Sequence, residues 1–228
     1  MGFMTSVAIS EDILKFLALI FCPHRSLRAI MERFQTPSFT ESMTSLLILD
    51  TPTNDLNGIE ILTALKVLTL PKNWIRDLSP LKKVHGLLSL CLSENQVRDI
   101  SPLIHMKDTL ERLDLTENPI RDYTPLRHFK KLTDLDLAKS RFEDLSWLTG
   151  LEQLRVLNLE GCLLRDVSAL TRLESLEILH LTSNRITDIS FLVHMPRLKF
   201  IRIDKNAIED CVWLTNIWIS VKLHDILN

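Results

Sequence analysis

Residues 65–78 read LKVLTLPKNWIRDL, and the spacing of the leucines, asparagine, isoleucine and aspartate in this stretch returns along most of the 228-residue chain. The next copy places the same or similar residue types at Leu87, Leu90, Leu92, Asn95, Val97 and Asp99. Further copies begin at residues 110, 132, 154, 176 and 198, and a weaker one begins at residue 43. Eight copies in phase, with a period of 22 residues and once 23, indicate a repeat protein in which each unit packs on its neighbours.

Each copy predicts a short strand followed by a turn. The Leu-x-Leu triplet, such as Leu68 to Leu70, places two leucines on one side of a strand and the residue between them on the other. The asparagine follows where the chain turns. Ser140 and Cys162 stand at the asparagine position in two copies, and Thr51 does so in the first. We therefore interpret Cys162 as a small structural residue.

The pattern LxxLxLxxNxI, followed by segments such as Val97-Arg-Asp-Ile-Ser-Pro-Leu103, resembles the leucine-rich repeat of the short 22-residue class. That class includes the bacterial internalin-type repeats and the eukaryotic leucine-rich-repeat regulator of protein phosphatase 1. The resemblance covers residues 43 to about 214. It implies an α/β solenoid, a right-handed superhelix with a parallel concave β-sheet and 3-10 or short helices on the convex side. It also implies a buried asparagine that bonds neighbouring backbone, but no particular partner, because this scaffold serves many functions.

The sequence predicts three parts of the chain. Residues 1–42 form an N-terminal helical cap over the first repeat, residues 43–214 hold the repeats, and residues 215–228 form a closing strand or cap. In the last part, apolar side chains alternate with polar ones at Ile217, Ile219, Val221 and Leu223. An uncovered apolar edge strand invites pairing, so a weak homodimer through this end is an open alternative.

One aspartate recurs in every copy, before an apolar residue and usually before a Ser/Thr-Pro-Leu turn. A column of carboxylates suggests calcium binding or acid-base chemistry. The position before a turn favours another role, in which each carboxylate accepts backbone N–H groups that open the turn. We therefore interpret the column as a structural ladder of Asp55, Asp77, Asp99, Asp122, Asp144, Asp166, Asp188 and Asp210.

Sequence motifs for catalysis are missing: no Gly-rich phosphate loop, HExxH, GxSxG or CxxC pair occurs. His105 and His128 occupy the same repeat position and are expected to stack about 5 Å apart, the spacing of neighbouring strands. A zinc site would need further ligands, and none is evident. The sequence therefore predicts a protein that is not an enzyme and uses no metal and no cofactor.

Composition and charge limit the partners. The formal charge of −2 and the pI near 6.4 argue against a general nucleic-acid binder. The apolar run 13–22 follows acidic residues and is too short to span a bilayer, so neither a secretory signal nor membrane attachment is expected. The four cysteines, Cys22, Cys91, Cys162 and Cys211, are far apart, as free thiols in a reducing compartment are. We predict a cytoplasmic protein, and the missing signal opposes an exported adhesin.

The outward strand residues of consecutive repeats are expected to form rows on the concave face. One row is apolar at Val156, Ile178 and Phe200. Beside it lies an acidic centre, formed by Asp114, Asp134 and Asp136, with Glu117 and Glu160 nearby. Apolar anchors beside charges are typical of protein-binding surfaces, although such residues also simply suit strands. The predicted partner-binding residues are Arg112, Asp114, Asp134, Asp136, Val156, Asn158, Ile178, His180, Phe200 and Arg202.

The sequence thus predicts a non-catalytic protein-interaction module whose concave sheet binds another protein, with neither nucleic acid nor membrane as a partner. Two alternatives stay open. The chain is a self-assembling structural protein that pairs through its C-terminal edge strand, or it is the regulatory subunit of a phosphatase.

Overall fold

The computed structural model describes residues 41–49, 53–142, 144–208 and 222–223. Within them, nine strands form one parallel sheet in chain order. The strands are β1 (Ser45–Leu47), β2 (Val67–Thr69), β3 (Ser89–Cys91), β4 (Arg112–Asp114), β5 (Asp134–Asp136), β6 (Val156–Asn158), β7 (Ile178–His180), β8 (Phe200–Arg202) and β9 (Lys222–Leu223). Residues 1–40 of the predicted cap, Asp210 and most of the closing segment lie outside the described residues, so the predicted domain boundaries stay predictions.

Short 3-10 helices connect the strands on the opposite side of the molecule. They are η1 (Ile59–Ile61), η2 (Ser79–Lys83), η3 (Ser101–Met106), η4 (Thr124–His128), η5 (Ser146–Gly150), η6 (Ser168–Arg172) and η7 (Ser190–His194). Proline near the start of η2, η3 and η4 suits the first turn of a helix, because its missing N–H would have no partner there. The predicted solenoid of parallel strands and 3-10 turns is confirmed.

The strand register follows the repeat. The central residue of each strand pairs with the central residue of the next, as Leu68 does with Leu90 and Leu135 with Leu157. From Leu46 to Ile201 these central residues form one buried leucine column, in which all but Ile201 are leucines. Each strand is centred on the first leucine of the predicted triplet instead of containing both. The second leucine follows directly, and its N–H continues the ladder, as Leu70 N donates to the Cys91 carbonyl at 2.8 Å.

The asparagine after each strand bridges two repeats. The Asn118 side-chain amide donates to the carbonyls of Leu92 and Leu115 at 2.8 and 3.2 Å, and its oxygen accepts the Val97 N–H at 3.0 Å. Asn95 makes the equivalent bonds one repeat earlier, and Asn184 makes them in the seventh repeat. Since unpaired buried backbone groups are costly, this ladder satisfies groups that no neighbouring strand reaches.

The ladder is interrupted in two consecutive repeats. The Cys162 thiol donates to the carbonyls of Leu137 and Glu160 at 3.2 and 3.6 Å, whereas the buried hydroxyls of Ser140 and Tyr123 have no hydrogen-bond partner among the described residues. An aromatic cluster lies at this point, where the Tyr123 ring is 4.6 Å from that of Phe142 and 5.9 Å from that of Trp147. Large apolar side chains thus pack where the amides are absent.

The recurring aspartates lie just before the 3-10 helices. Each of the seven in the described residues accepts the backbone N–H two residues later, as Asp144 Oδ1 does from Ser146 at 2.7 Å. The side-chain and backbone hydrogen bonds of Ser146 hold the pKa of Asp144 below its usual value. These bonds open the turn as a cap does.

Leu157→Ala is expected to destabilise the protein by about 2–5 kcal/mol, because it empties a fully buried position in the leucine column. Urea unfolding measures the loss. Glu152→Ala is the matched control five residues earlier, at the end of the preceding repeat, since this side chain is exposed and its ion pair with Lys130 is worth little. Equal effects of the two changes would show that the column does not carry the core.

Asn118→Ala and Ser140→Ala change the same repeat position with different expected results. The first leaves the Val97 N–H without its acceptor and should cost about 1–3 kcal/mol. The second removes a buried hydroxyl without leaving a backbone N–H unpaired, so its cost should be smaller than that of Asn118→Ala. Thermal unfolding of both variants checks the contrast, and a costly Ser140→Ala would contradict it.

Candidate functional site

The strand register aligns the outward residues into two rows along the sheet. The outer row holds Ser45, Val67, Ser89, Arg112, Asp134, Val156, Ile178 and Phe200, and the register continues from Phe200 to Lys222 of β9. The middle row holds Leu47, Thr69, Cys91, Asp114, Asp136, Asn158, His180 and Arg202. All ten predicted partner-binding residues therefore lie in adjacent positions of β4 to β8, on one face.

The middle row carries a hydrogen-bond network in its acidic part. Asp136 accepts the Thr116 hydroxyl at 2.8 Å, the Ala138 N–H at 3.0 Å and the Asn158 amide at 3.0 Å. Burial raises the pKa of Asp136, and the neighbouring carboxylate of Asp114 raises it further, whereas the hydrogen bonds oppose the shift. Asp136 is thus a fixed part of the sheet surface.

The network continues through Asp114 to the preceding strand. Asp114 accepts the Thr116 N–H at 3.0 Å and the Cys91 thiol at 3.2 Å. Burial, followed by the charge of Asp114, raises the pKa of Cys91 to about 12. The thiol therefore stays protonated at neutral pH, which makes it a hydrogen-bond donor and not a nucleophile.

The third carboxylate of the acidic centre is held less firmly. Asp134 lies in the outer row, between Arg112 and Val156 in the register, and accepts the hydroxyl of the adjacent Thr133 at 2.7 Å. Glu117, which was expected to add to the acidic centre, forms an ion pair with Lys139 instead. Asp134 is therefore the carboxylate best able to exchange its present partner for a ligand.

The apolar strip occupies three successive strands. Val156 pairs with Ile178, and Ile178 pairs with Phe200, and all three side chains are half-buried. The Phe200 ring lies 5.6 Å from the His180 ring, and the Arg202 guanidinium lies 5.7 Å from the centre of the phenyl ring. Burial, followed by the charge of Arg202, lowers the pKa of His180, which favours a neutral imidazole. The strip thus ends in an aromatic ring with the Arg202 guanidinium beside it.

An ion-pair ladder beside the strip was missed in the sequence analysis. Glu177 accepts Arg155 and Lys199, each at 2.8 Å, one repeat before and one after it. The signal was available, because these residues are spaced by 22 positions and alternate in charge. Such exposed pairs add little stability, but they border the apolar strip with fixed charges.

The convex side does not bring the two predicted histidines together into a pair of ligands. His105 bonds the carbonyls of Pro102 and Val84 and lies with its ring 6.1 Å from that of His85. His128 accepts the Arg127 Nε–H at 3.2 Å. Across the described part of the chain, no group of three or more His, Cys, Asp or Glu side chains could hold a metal ion.

A second concavity of about 850 Å³ lies between the turns of the fifth and sixth repeats. It is bordered by Arg141, Phe142, Arg165 and Arg172, with Ala169 in the repeat position that Trp147 and Phe191 occupy in the neighbouring repeats. The small alanine leaves room that the aromatic residues fill elsewhere. Aspartates stand between these arginines, so this surface has no excess of one charge comparable to the acidic centre.

Parallel strands in one open sheet, a buried asparagine ladder and capped 3-10 turns define a leucine-rich-repeat solenoid, a fold that generally mediates protein–protein interaction. The family model for leucine-rich repeats, in two copies, matches residues 174–225. No curated protein sequence gives a significant match. Among the described residues, no helix has the length and apolar character needed to cross a membrane.

Solved structures define the class more closely. An internalin, inlF, of Listeria monocytogenes is 30% identical over 87% of this chain with a TM-score of 0.72, and the chain spans 62% of that protein's chain. Internalin C2 of the same bacterium is 29% identical over 83% of this chain with a TM-score of 0.71, and 84% of it is covered. A leucine-rich-repeat protein of Leptospira interrogans, 22% identical over 81% of this chain with 49% of it covered, shares the fold with a TM-score of 0.72. The chain thus contains leucine-rich repeats with a period of 22 residues, and its solenoid is similar to those of the internalins.

Asp136 gives the site an expected pH dependence. Because its pKa is raised in the folded state, the folded protein keeps a proton that the unfolded chain has released. This stabilising contribution is present below the ordinary value of about 3.9 and is lost as the pH rises through the raised value. Urea unfolding of wild type and Asp136→Asn at pH 7 and 4.5 should therefore show a difference that shifts in favour of wild type at the lower pH.

Asp144→Asn is the control for this experiment. The pKa of Asp144 is lowered, so its contribution is present above about 3.9 and is lost only as the pH falls through the lowered value. The difference between wild type and this variant should change little between pH 7 and 4.5. A difference for Asp136→Asn that is equally insensitive to pH would show that the Asp136 carboxyl titrates normally.

Proposed function

We propose that the chain is a non-catalytic interaction module that binds another protein through the concave face of its sheet. The supporting observation is the apolar strip of Val156, Ile178 and Phe200, which remains half-exposed beside carboxylates on one face. Buried apolar anchors supply most of the affinity in protein interfaces, and charges steer association. The acidic centre disfavours nucleic acid as the partner, because its carboxylates repel phosphates.

Rigidity supports the same proposal. The strands that carry the strip are paired on both sides, and the asparagine ladder fixes the turns that follow β7 and β8. Side chains on such a frame lose little conformational entropy when a partner binds, which lowers the cost of association. A regulatory subunit of a phosphatase would be one instance of this activity.

Self-assembly through the C-terminal end is the second candidate. The strand β9 pairs with β8 in continuation of the register and is the last strand of the sheet in the described part of the chain. An uncovered strand edge offers backbone groups to a second copy. Light scattering across a concentration series decides this point, since a strict monomer at high concentration removes the candidate.

We propose the cytoplasm as the location, because Cys91 and Cys162 are free thiols. Similarity to the internalins raises the alternative of an exported adhesin. Fractionation of the native host decides between them, and a processed protein outside the cell would overturn the cytoplasmic assignment.

Phe200→Ala is expected to weaken partner binding at least tenfold, about 1.4 kcal/mol, while the melting temperature changes little. The reason is that Phe200 projects from the outward row and supplies the largest apolar surface of the strip. The measurement is affinity for the protein that a pull-down from the native host yields, together with a melting curve of each variant.

Val193→Ala is the matched control, because this side chain is apolar and exposed but lies on η7, on the other side of the molecule. It should leave binding unchanged. If Phe200→Ala binds like wild type, the concave strip is not the site. If Phe200→Ala unfolds the protein, the residue belongs to the core and the assignment of the outward row is wrong.

A further inference from the structure

We propose that the concave face binds an extended peptide segment laid across the strands, with a basic side chain over Asp134 and apolar side chains two and four residues later. This inference rests on the proposed function and specifies the chemistry of the partner. It follows from the order of charged and apolar side chains along the outer row and from the distance between them.

The side chains of the outer row change from charged to apolar between β5 and β8. From β5 to β8 the row presents Asp134, Val156, Ile178 and Phe200, each in direct register with the next. A ligand that crosses these four strands from β5 to β8 therefore contacts first a carboxylate and then three consecutive apolar side chains. A symmetrical or uniformly apolar ligand would leave one of these ends without a complementary group.

The acidic end favours a cation. Asp134 has Asp136 two residues later on the same face of β5, and Asp114 stands beside Asp136 in the middle row. Arg112 is the one basic residue that the two rows hold at β4 and β5, against three carboxylates. Asp114 and Asp136 are already held by hydrogen bonds in the sheet surface, so Asp134 is the carboxylate available to a lysine or arginine of the partner.

The apolar end favours an aliphatic or aromatic side chain. Val156, Ile178 and Phe200 retain part of their surface for contact, and Arg202 and His180 lie beside the Phe200 ring. The Glu177 ion pairs with Arg155 and Lys199 limit the strip on its outer side. Apolar side chains of the partner are therefore expected to pack along this strip.

The distance between Asp134 and Phe200 favours a partner segment with an extended backbone. Three interstrand steps separate Asp134 from Phe200, which corresponds to about 14 Å. Side chains four residues apart on one side of an extended segment are separated by about 13 Å, and the curvature of the sheet brings the tips of its side chains closer than its backbone. A helix would need about nine residues to cover the same distance. The expected motif is therefore a basic residue, followed by apolar residues at the second and fourth positions after it.

A library of random 12-residue peptides displayed on phage provides the test, with the full chain as the target. We expect enrichment of lysine or arginine four residues before a large apolar residue, with apolar residues also enriched midway. Synthetic peptides from this selection should lose at least tenfold in affinity for Phe200→Ala and none for Val193→Ala. Their binding should weaken as salt is added, because one contact is ionic.

Reversing the charge at position 134 tests whether Asp134 is the residue that contacts the basic side chain. A parallel selection against Asp134→Lys should replace the basic residue by aspartate or glutamate and keep the apolar spacing. Melting curves of both targets confirm that the change, at a half-exposed position, leaves the fold intact. A basic preference that persists with Asp134→Lys, a spacing of nine or ten residues, selection of acidic peptides, or no enrichment would overturn the inference.

The same experiments separate this inference from the proposed function. If the native partner requires Phe200 but the library shows no basic-to-apolar spacing, the concave face is the site and only the extended segment is wrong. If neither peptides nor partner depend on Phe200, the proposed site itself fails. Tight binding of a fluorescent single-stranded RNA of random sequence, dependent on Phe200, would replace the protein ligand by a nucleic acid and overturn both.

Discussion

The asparagine that follows each strand satisfies backbone groups of two neighbouring repeats at once. Asn118 accepts one N–H from the preceding repeat and donates to a carbonyl of that repeat and to one of its own repeat. The residue before each ladder position adopts a left-handed backbone, and most of these residues are not glycine, as with Glu117 and Lys139. Such a turn is unfavourable by itself and persists because the bonds and packing around it allow no alternative. The strand register, the leucine column and the outward rows all depend on these turns.

Where the ladder is interrupted, other interactions take over. The Cys162 thiol still donates to the carbonyls of Leu137 and Glu160, and beside Ser140 the rings of Tyr123, Phe142 and Trp147 pack against one another. In the part of the chain that the structure describes, the N–H groups of Ile120 and Phe142, which would meet the missing amides, have no acceptor. Dispersion and burial in the aromatic cluster offset this loss. The repeat geometry is therefore tolerant of local substitutions as long as the space remains filled.

The concave face follows from the same regularity. Because every strand presents its outward residues in register, a charge or a ring at one position is placed at a defined distance from its neighbours in the next repeats. Asp136 and Asp114 are consequently held within a network, whereas Asp134 and Phe200 lie in the outer row, three strands apart. In a solenoid, variation at one repeat position thus becomes a pattern of side chains along a surface. An extended ligand whose side chains match that pattern in order therefore fits better than a compact one.

The sequence by itself determined the period, the inward leucine column and the rows of outward residues, because a repeat of constant length allows only one register of parallel strands. It also indicated the role of the recurring aspartates, since a carboxylate two residues before a turn N–H acts locally. Only the tertiary structure decided which side chains pair across repeats. Glu117 pairs with Lys139, Glu177 joins Arg155 and Lys199, and His105 contacts His85 instead of His128. The spacing places these residues near one another, but side-chain length and rotamer choose among several partners at similar distance, and that choice is made only when the repeats are stacked.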